Sequence, residues 1–316
     1  MILKLEPQTL ANEFSQLGIH PASEAIFLHK SEIVPLKILD IRTPAANIIK
    51  QEMLACGGDC AIPAGCVVCA EERVDVILLG TYKHYARLLE KLTQMPYFGM
   101  AGIKSELIAI LDAPIPQTIL ADGRTLNYDK MLVMGILNIT PDSFYAGSRV
   151  PQLEQVVEKA GEMLRQGAAV LDIGGESTRP GSDAVTADEE QKRVVPVIKA
   201  LKERYPACVI SIDTYRASTA EAALAAGADI INDVTAMEGD AAMSDLVVGS
   251  KVPIILMHMR GTPKNMQQNC EYKNVVTEVA AYLLQRAKVL ENRGVAKEKI
   301  IFDPGIGFAK NIEQNL

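Results

Sequence analysis

The sequence predicts an α/β protein: a (β/α)8 TIM barrel of which about six β/α units are present, preceded by a small α/β amino-terminal domain. Three observations carry that expectation. Apolar runs recur between residues 132 and 303, each followed by a stretch with helical spacing, and several of those stretches stop at a glycine. The runs are near-continuous rather than alternating, as in Val252-Pro253-Ile254-Ile255-Leu256-Met257, which indicates strands buried on both faces in a parallel sheet.

In chain order, Ala45–Cys56 has helical spacing, 74–80 reads as a buried strand, and Tyr82–Met95 repeats apolar residues at Tyr85, Leu88, Leu89 and Leu92. These make residues 1–112 a small α/β domain whose polar residues, Lys83 and His84 among them, form no constellation beyond a solvated helix start. Two prolines in Asp112-Ala113-Pro114-Ile115-Pro116 mark a linker. The barrel domain then runs over 118–316. Asp122-Gly123 sets a hairpin within 118–128, placed to cover one mouth of a barrel. Strands are expected at 132–138, 169–174, 208–213, 229–233, 253–258 and 300–303, with helices at 151–166, 188–204, 216–226, near 240–249 and at 274–293. Gly167, Gly227 and Gly294 end three of the helices.

With 316 residues, 48% of them hydrophobic, the chain can bury a sizeable core. Its 32 basic and 39 acidic residues give a formal charge of −7 without long runs, which argues against a nucleic-acid partner. The start of the chain lacks a basic region followed by a long apolar stretch, and no run reaches a membrane span, so a cytoplasmic protein is expected. Cys56, Cys60, Cys66 and Cys69 invite a zinc or redox reading, but their spacing is irregular and no histidine lies among them. Small buried thiols account for them equally well.

Each barrel strand ends in polarity: Asn138, Asp172, Asp213, Asn232 with Asp233, His258, and Asp303. Barrel enzymes place their chemistry at such ends. One strand-final Asp usually caps the next helix. The recurrence favours a polar pocket, and carboxylates beside an amide suit a flat ligand presenting several N–H donors, such as a pterin. Gly174-Gly175-Glu176-Ser177-Thr178-Arg179-Pro180-Gly181 combines glycine, hydroxyls and a guanidinium, a combination suited to an anion or equally to a solvated surface loop.

Asn138-Ile139-Thr140-Pro141-Asp142-Ser143-Phe144, the 174–181 loop, Ser211-Ile212-Asp213-Thr214, Ile231-Asn232-Asp233, Leu256-Met257-His258-Met259 and Phe302-Asp303-Pro304-Gly305-Ile306-Gly307-Phe308 together closely resemble dihydropteroate synthases, in that order, from about residue 118 onward. The resemblance implies a transferase of folate biosynthesis joining 6-hydroxymethyl-7,8-dihydropterin diphosphate to 4-aminobenzoate. It implies small-molecule substrates and a homodimer when full length. By resemblance Asp213, Asn232 and Asp303 hold the pterin, Met257 and Phe308 line its walls, and Asn138 contacts diphosphate and Mg2+ as a catalytic residue. Thr178 and Arg179 act on aminobenzoate and diphosphate, Arg179 also catalytically.

Two departures stand out. Many relatives carry Asp-Gly-Gly where this chain has Tyr145-Ala146-Gly147-Ser148, which leaves magnesium leaning on Asn138, diphosphate oxygens and water. The sequence also stops at Leu316, before the Ser-Arg-Lys and Arg-x-His segments of the family's last two strands. The expectation is therefore an incomplete copy of a longer enzyme, with little activity of its own. A corrinoid-linked methyltetrahydrofolate methyltransferase and a non-catalytic pterin-binding protein stay open as alternatives.

Overall fold

The structure, a computed structural model, describes residues 10–17, 20, 23, 27–28, 30–113, 115–139, 149–176, 185–261, 266 and 270–315. The chain divides into two units, Met1–Pro114 and Ile115–Leu316. Among the described residues no helix is long and apolar enough to cross a membrane.

The first unit contains helix α1 (Leu10–Gln16) and an antiparallel sheet of three strands. Its middle strand, β3 (Arg73–Gly80), pairs with β1 (Val34–Arg42) on one side and with β2 (Asp59–Ala61) on the other. Helices α2 (Thr43–Cys56), α3 (Tyr82–Leu92) and α4 (Met100–Leu111) contribute to its core. Residues 74–80, expected as a buried strand, are buried on one face only. Val74, Val76 and Leu78 pack against Ile49, Met53 and Leu88, while Ile77 and Leu79 on the opposite face are each 41% exposed. The antiparallel pleat explains this, since helices need cover only one face of such a sheet. His84 accepts from the Thr81 backbone N–H at 3.3 Å, half of a capping box that starts α3. Cys56, Cys60 and Cys66 are buried in this core and Cys69 is exposed, all of them free thiols. Burial pushes the Cys60 thiol up to about 11.

The second unit opens with a hairpin, β4 (Gln117–Ile119) and β5 (Thr125–Asn127), and continues as β/α repeats. The strands are β6 (Val133–Asn138), β7 (Ala168–Gly174), β8 (Val209–Asp213), β9 (Ile230–Asp233), β10 (Ile254–Met257) and β11 (Ile300–Asp303). The helices are α5 (Arg149–Arg165), α6 (Ala187–Arg204), α7 (Ala217–Ala226), α8 (Met243–Ser250), α9 (Val275–Glu291) and the short α10 (Ile312–Asn315). All six strands are parallel and lie side by side in chain order, which is the topology of a (β/α)8 barrel carrying six of its units. Gly227 ends α7 in the left-handed conformation at φ 114°, closing the helix so that β9 can start at once. Helix α8 begins three residues later than the spacing near 240–249 indicated. The Asp240 carboxylate accepts from the Ala242 backbone N–H, which holds the residues ahead of α8 in a turn, and from the Ala217 N–H at the start of α7.

Strand parity sorts the side chains. Leu171, Ile173, Ile210, Ile212, Ile231, Ile254 and Leu256 join the core formed with α6 and α9. The alternate residues Val170, Val209, Ile230 and Ile255 form a separate cluster with Leu120 of the hairpin. The hairpin is fastened at the amino-terminal end of the strands: Arg124 donates to Asp229 at 2.7 Å and to the Ala207 carbonyl at 2.8 Å, and Lys299 Nζ reaches the Ile119 carbonyl at 3.2 Å. The opposite, carboxyl-terminal end is the one the hairpin leaves for chemistry.

Candidate active site

Two residues further along the strands, the side facing the small Leu120 cluster turns from apolar to polar. Val170, Val209, Ile230 and Ile301 are succeeded by Asp172, Ser211, Asn232 and Asp303, and Ile255 by Met257. Asn232 Nδ2 donates to Asp172 Oδ2 at 3.1 Å. Asp172 Oδ1, Ser211 Oγ and Asn232 Oδ1 are buried without a hydrogen-bond partner among the described residues. Orphaned buried polar atoms are rare, and three on adjoining strands mark a place where a polar ligand belongs.

The charges agree. Burial pushes the Asp172 carboxyl up to about 6, opposed first by the neighbouring Ser211 hydroxyl and then by the Asn232 amide, and assisted by the nearby Asp303 carboxylate. Burial, with Asp172 next in effect, pushes Asp213 well above the ordinary carboxylate range. Among the described residues no ion pair joins Asp172 or Asp213 to a lysine or arginine, which favours a ligand offering N–H donors. Asp233 belongs to a different role: its carboxylate accepts from Thr235 Oγ1 and from the Thr235 and Met237 backbone N–H groups, which builds the turn after β9.

Asn138, at the end of β6, approaches the same rim. A Cβ built on Gly174 would lie 3.1 Å from Asn138 Oδ1 and 3.3 Å from Asp213 Oδ2, so two oxygens converge on the space that this glycine leaves. On the far side, Asp303 Oδ1 accepts from the Gly305 backbone N–H at 2.7 Å, and the His258 backbone N–H donates to the Asp303 carbonyl at 3.0 Å. Gly305 has φ 69°, and a Cβ there would meet the His258 carbonyl oxygen at 2.1 Å, so this turn lies directly on the end of β10. Met257 is buried on β10 beside its register partner Asp303, and Phe308 closes the turn by donating its N–H to the Gly305 carbonyl. Thr178 and Arg179 lie outside the described residues, as does the stretch from Thr140 to Ser148.

Arg216 holds the two ends of the segment that carries Thr178 and Arg179. Its guanidinium donates to Glu176 at 2.7 Å, to the Val185 carbonyl at 2.7 Å and to Glu190 at 2.8 Å, while the Val185 N–H returns to Glu176 at 3.3 Å. Glu190 is 1% exposed and also accepts from Thr219. Among the described residues no three His, Cys, Asp or Glu side chains gather as a metal cage.

Comparison with known proteins supplies the family. A family model for pterin binding enzymes matches residues 134–316. A Helicobacter pylori protein named bifunctional dihydropteroate synthase/dihydropteroate reductase is 33% identical over 318 residues, covering 100% of this chain and 79% of that relative. This chain belongs to the dihydropteroate synthase family. A Haloferax volcanii relative, named as a probable bifunctional folylpolyglutamate synthase/dihydropteroate synthase, is 37% identical over 282 residues, which cover 85% of this chain. The chain spans only 33% of that relative's length. Among solved structures, Xanthomonas albilineans dihydropteroate synthase with 4-aminobenzoic acid matches with TM-score 0.58 and 40% identity, covering 64% of this chain and 71% of the other. The family model starts inside β6, so the first unit lies outside it, whereas the Helicobacter relative aligns across both units.

Asp213, Asn232, Asp303, Met257 and Asn138 all stand at the carboxyl ends of their strands. Ser211 and the Arg216 cluster were not singled out as site components from sequence. The signal for Ser211 was parity: it sits two residues before Asp213 on one strand.

Proposed function

We propose that the second unit catalyses condensation of 6-hydroxymethyl-7,8-dihydropterin diphosphate with 4-aminobenzoate, giving 7,8-dihydropteroate and diphosphate. The observation that carries this reading is the set of orphaned atoms on Asp172, Ser211 and Asn232 beneath the rim carboxylates Asp213 and Asp303. Such an acceptor-rich floor fits the amino and ring N–H groups of a pterin. Met257 and Phe308 supply apolar walls for its ring faces. In the reaction the C–O bond from the pterin methylene to diphosphate breaks, and the arylamine nitrogen forms the new C–N bond and loses a proton. The chain's part is to align the two reactants and exclude competing water.

Asn138 Oδ1 and Asp213 Oδ2, facing the space above Gly174, are hard oxygen donors at the edge of the pterin floor. They fit Mg2+, which favours one or two protein oxygens together with water and phosphate. Bound there, Mg2+ would supply Lewis-acid stabilisation to the departing diphosphate. Thr178 and Arg179 are assigned to aminobenzoate and diphosphate, with Arg179 and Asn138 in catalytic roles. Action in the cytoplasm and homodimer formation belong to the same reading.

The test is calorimetric titration of this chain with 6-hydroxymethyl-7,8-dihydropterin, followed by an assay of diphosphate release on mixing both substrates. Binding that is lost in Asp303→Ala and Asp213→Ala supports the pterin site. Affinity unchanged by both substitutions overturns it. Pterin binding with methyl transfer from methyltetrahydrofolate and no diphosphate release would favour the methyltransferase instead.

A further inference from the structure

We propose that Lys310 is a positioning residue of the pterin site, a buried cation that holds the turn between Asp303 and Phe308 in its binding geometry. The inference rests on the pterin reading above and assigns a role to a side chain that reading does not use. Lys310 is 4% exposed, and a buried ammonium is costly unless its N–H groups are matched. Here all three are matched. Nζ donates to the Gly305 carbonyl at 3.0 Å and to the Phe308 carbonyl at 3.0 Å, and it lies 3.1 Å from His258 Nδ1.

That arrangement settles more than the turn. An ammonium has no lone pair, so His258 Nδ1 must be the acceptor and the imidazole must be neutral with its proton on Nε2. The ring is fixed by an edge contact with Tyr282 at 5.1 Å between centroids and a tilted one with Tyr272 at 6.0 Å. His258 then fastens Asp303 through its backbone N–H, and Gly305 fastens the Asp303 carboxylate through its own. Lys310 thus ties β10 to the turn through bonds that all lead to Asp303 or Phe308. Methionine at 310 would fill similar space and leave the Phe308 carbonyl and an imidazole nitrogen without that donor, while the Gly305 carbonyl would keep only the Phe308 N–H. Because its three N–H groups are occupied, Lys310 has none to offer substrate, which separates positioning from direct contact.

The experiment compares the full chain with its Lys310→Met and Lys310→Gln variants. Affinity for 6-hydroxymethyl-7,8-dihydropterin is read by calorimetry, the His258 tautomer by 15N NMR, with His258→Asn to assign the signal, and folding by urea denaturation. The expected result for Lys310→Met is a loss of pterin affinity of about tenfold or more, the scale of one or two misplaced hydrogen bonds, with a changed His258 nitrogen shift. Lys310→Gln retains donor capacity and is expected to fall between, and it carries the test if Lys310→Met does not fold. A variant that folds, shows the changed His258 signal and binds pterin within about twofold of the unmodified chain overturns this inference alone. Absence of pterin binding by the unmodified chain overturns the pterin reading and this inference with it.

Discussion

Asn138 Oδ1 and Asp213 Oδ2 meet over Gly174, 3.1 and 3.3 Å from the point where a side chain would begin. Gly174→Ala is therefore expected to force both oxygens outward by a few tenths of an ångström while leaving stability within about 1 kcal/mol, since alanine is favoured over glycine inside a strand. Magnesium-dependent binding of the pterin diphosphate should weaken and binding of the unphosphorylated pterin should change less. Equal loss for both ligands would show that the cradle serves the ring and not the diphosphate.

Asp172 is expected to make pterin affinity depend on pH. Its carboxyl is pushed up to about 6 by burial, and only the ionised form can accept from two ligand N–H groups without offering a proton of its own. Pterin affinity should be level above that value and fall as pH drops through it, approaching about tenfold per pH unit. Calorimetry across pH 5 to 8 checks this; a level profile in that range removes Asp172 from the binding floor.

The same shift sets a stability cost. A carboxyl raised from 3.8 to about 6 binds protons more tightly folded than unfolded, so stability declines as pH rises through that window and the full cost is present above it. Asp172→Asn keeps an acceptor for Asn232 and should gain up to about 3 kcal/mol at neutral pH, a gain that disappears below pH about 4. His258 acts oppositely: burial, then Lys310, hold its imidazole down to about 4, so stability is lost as pH falls from its unfolded value of 6.5. Urea titrations of both chains at pH 4 and 7 separate the two contributions.

Arg216→Ala should destabilise the second unit by about 3–5 kcal/mol, because Glu190 would remain buried as an unpaired charge. Adding Glu190→Gln should recover part of the loss in urea denaturation. If binding of 4-aminobenzoate fails in the double variant while pterin binding persists, the guanidinium also sets the segment bearing Thr178 and Arg179.

The barrel strands were legible in the sequence because each is an apolar run with a polar end, and Gly167, Gly227 and Gly294 mark the approach to β7, β9 and β11. The division of labour at their ends was less so. Asn232 and Asp233 read alike in sequence, yet the pleat sends one toward the Asp172 floor and the other into the turn made with Thr235 and Met237. Strand β1 escaped notice because Pro35 interrupts its pattern and Asp40, at φ 52°, breaks the alternation with an irregularity between Ile38 and Ile41. Lys310 and His258 are far apart in sequence, and their pairing follows only from the parallel register of β10 and β11.

The hairpin's fastenings have a mechanical consequence. Arg124 grips residues entering β8 and β9, and the backbone at Ile119 is held by Lys299 at the entrance of β11, so one short ribbon braces strands from the middle to the far flank of the sheet. Such a tie-beam under the arc resists flattening, and the spacing of the acceptors above it is thereby set from below.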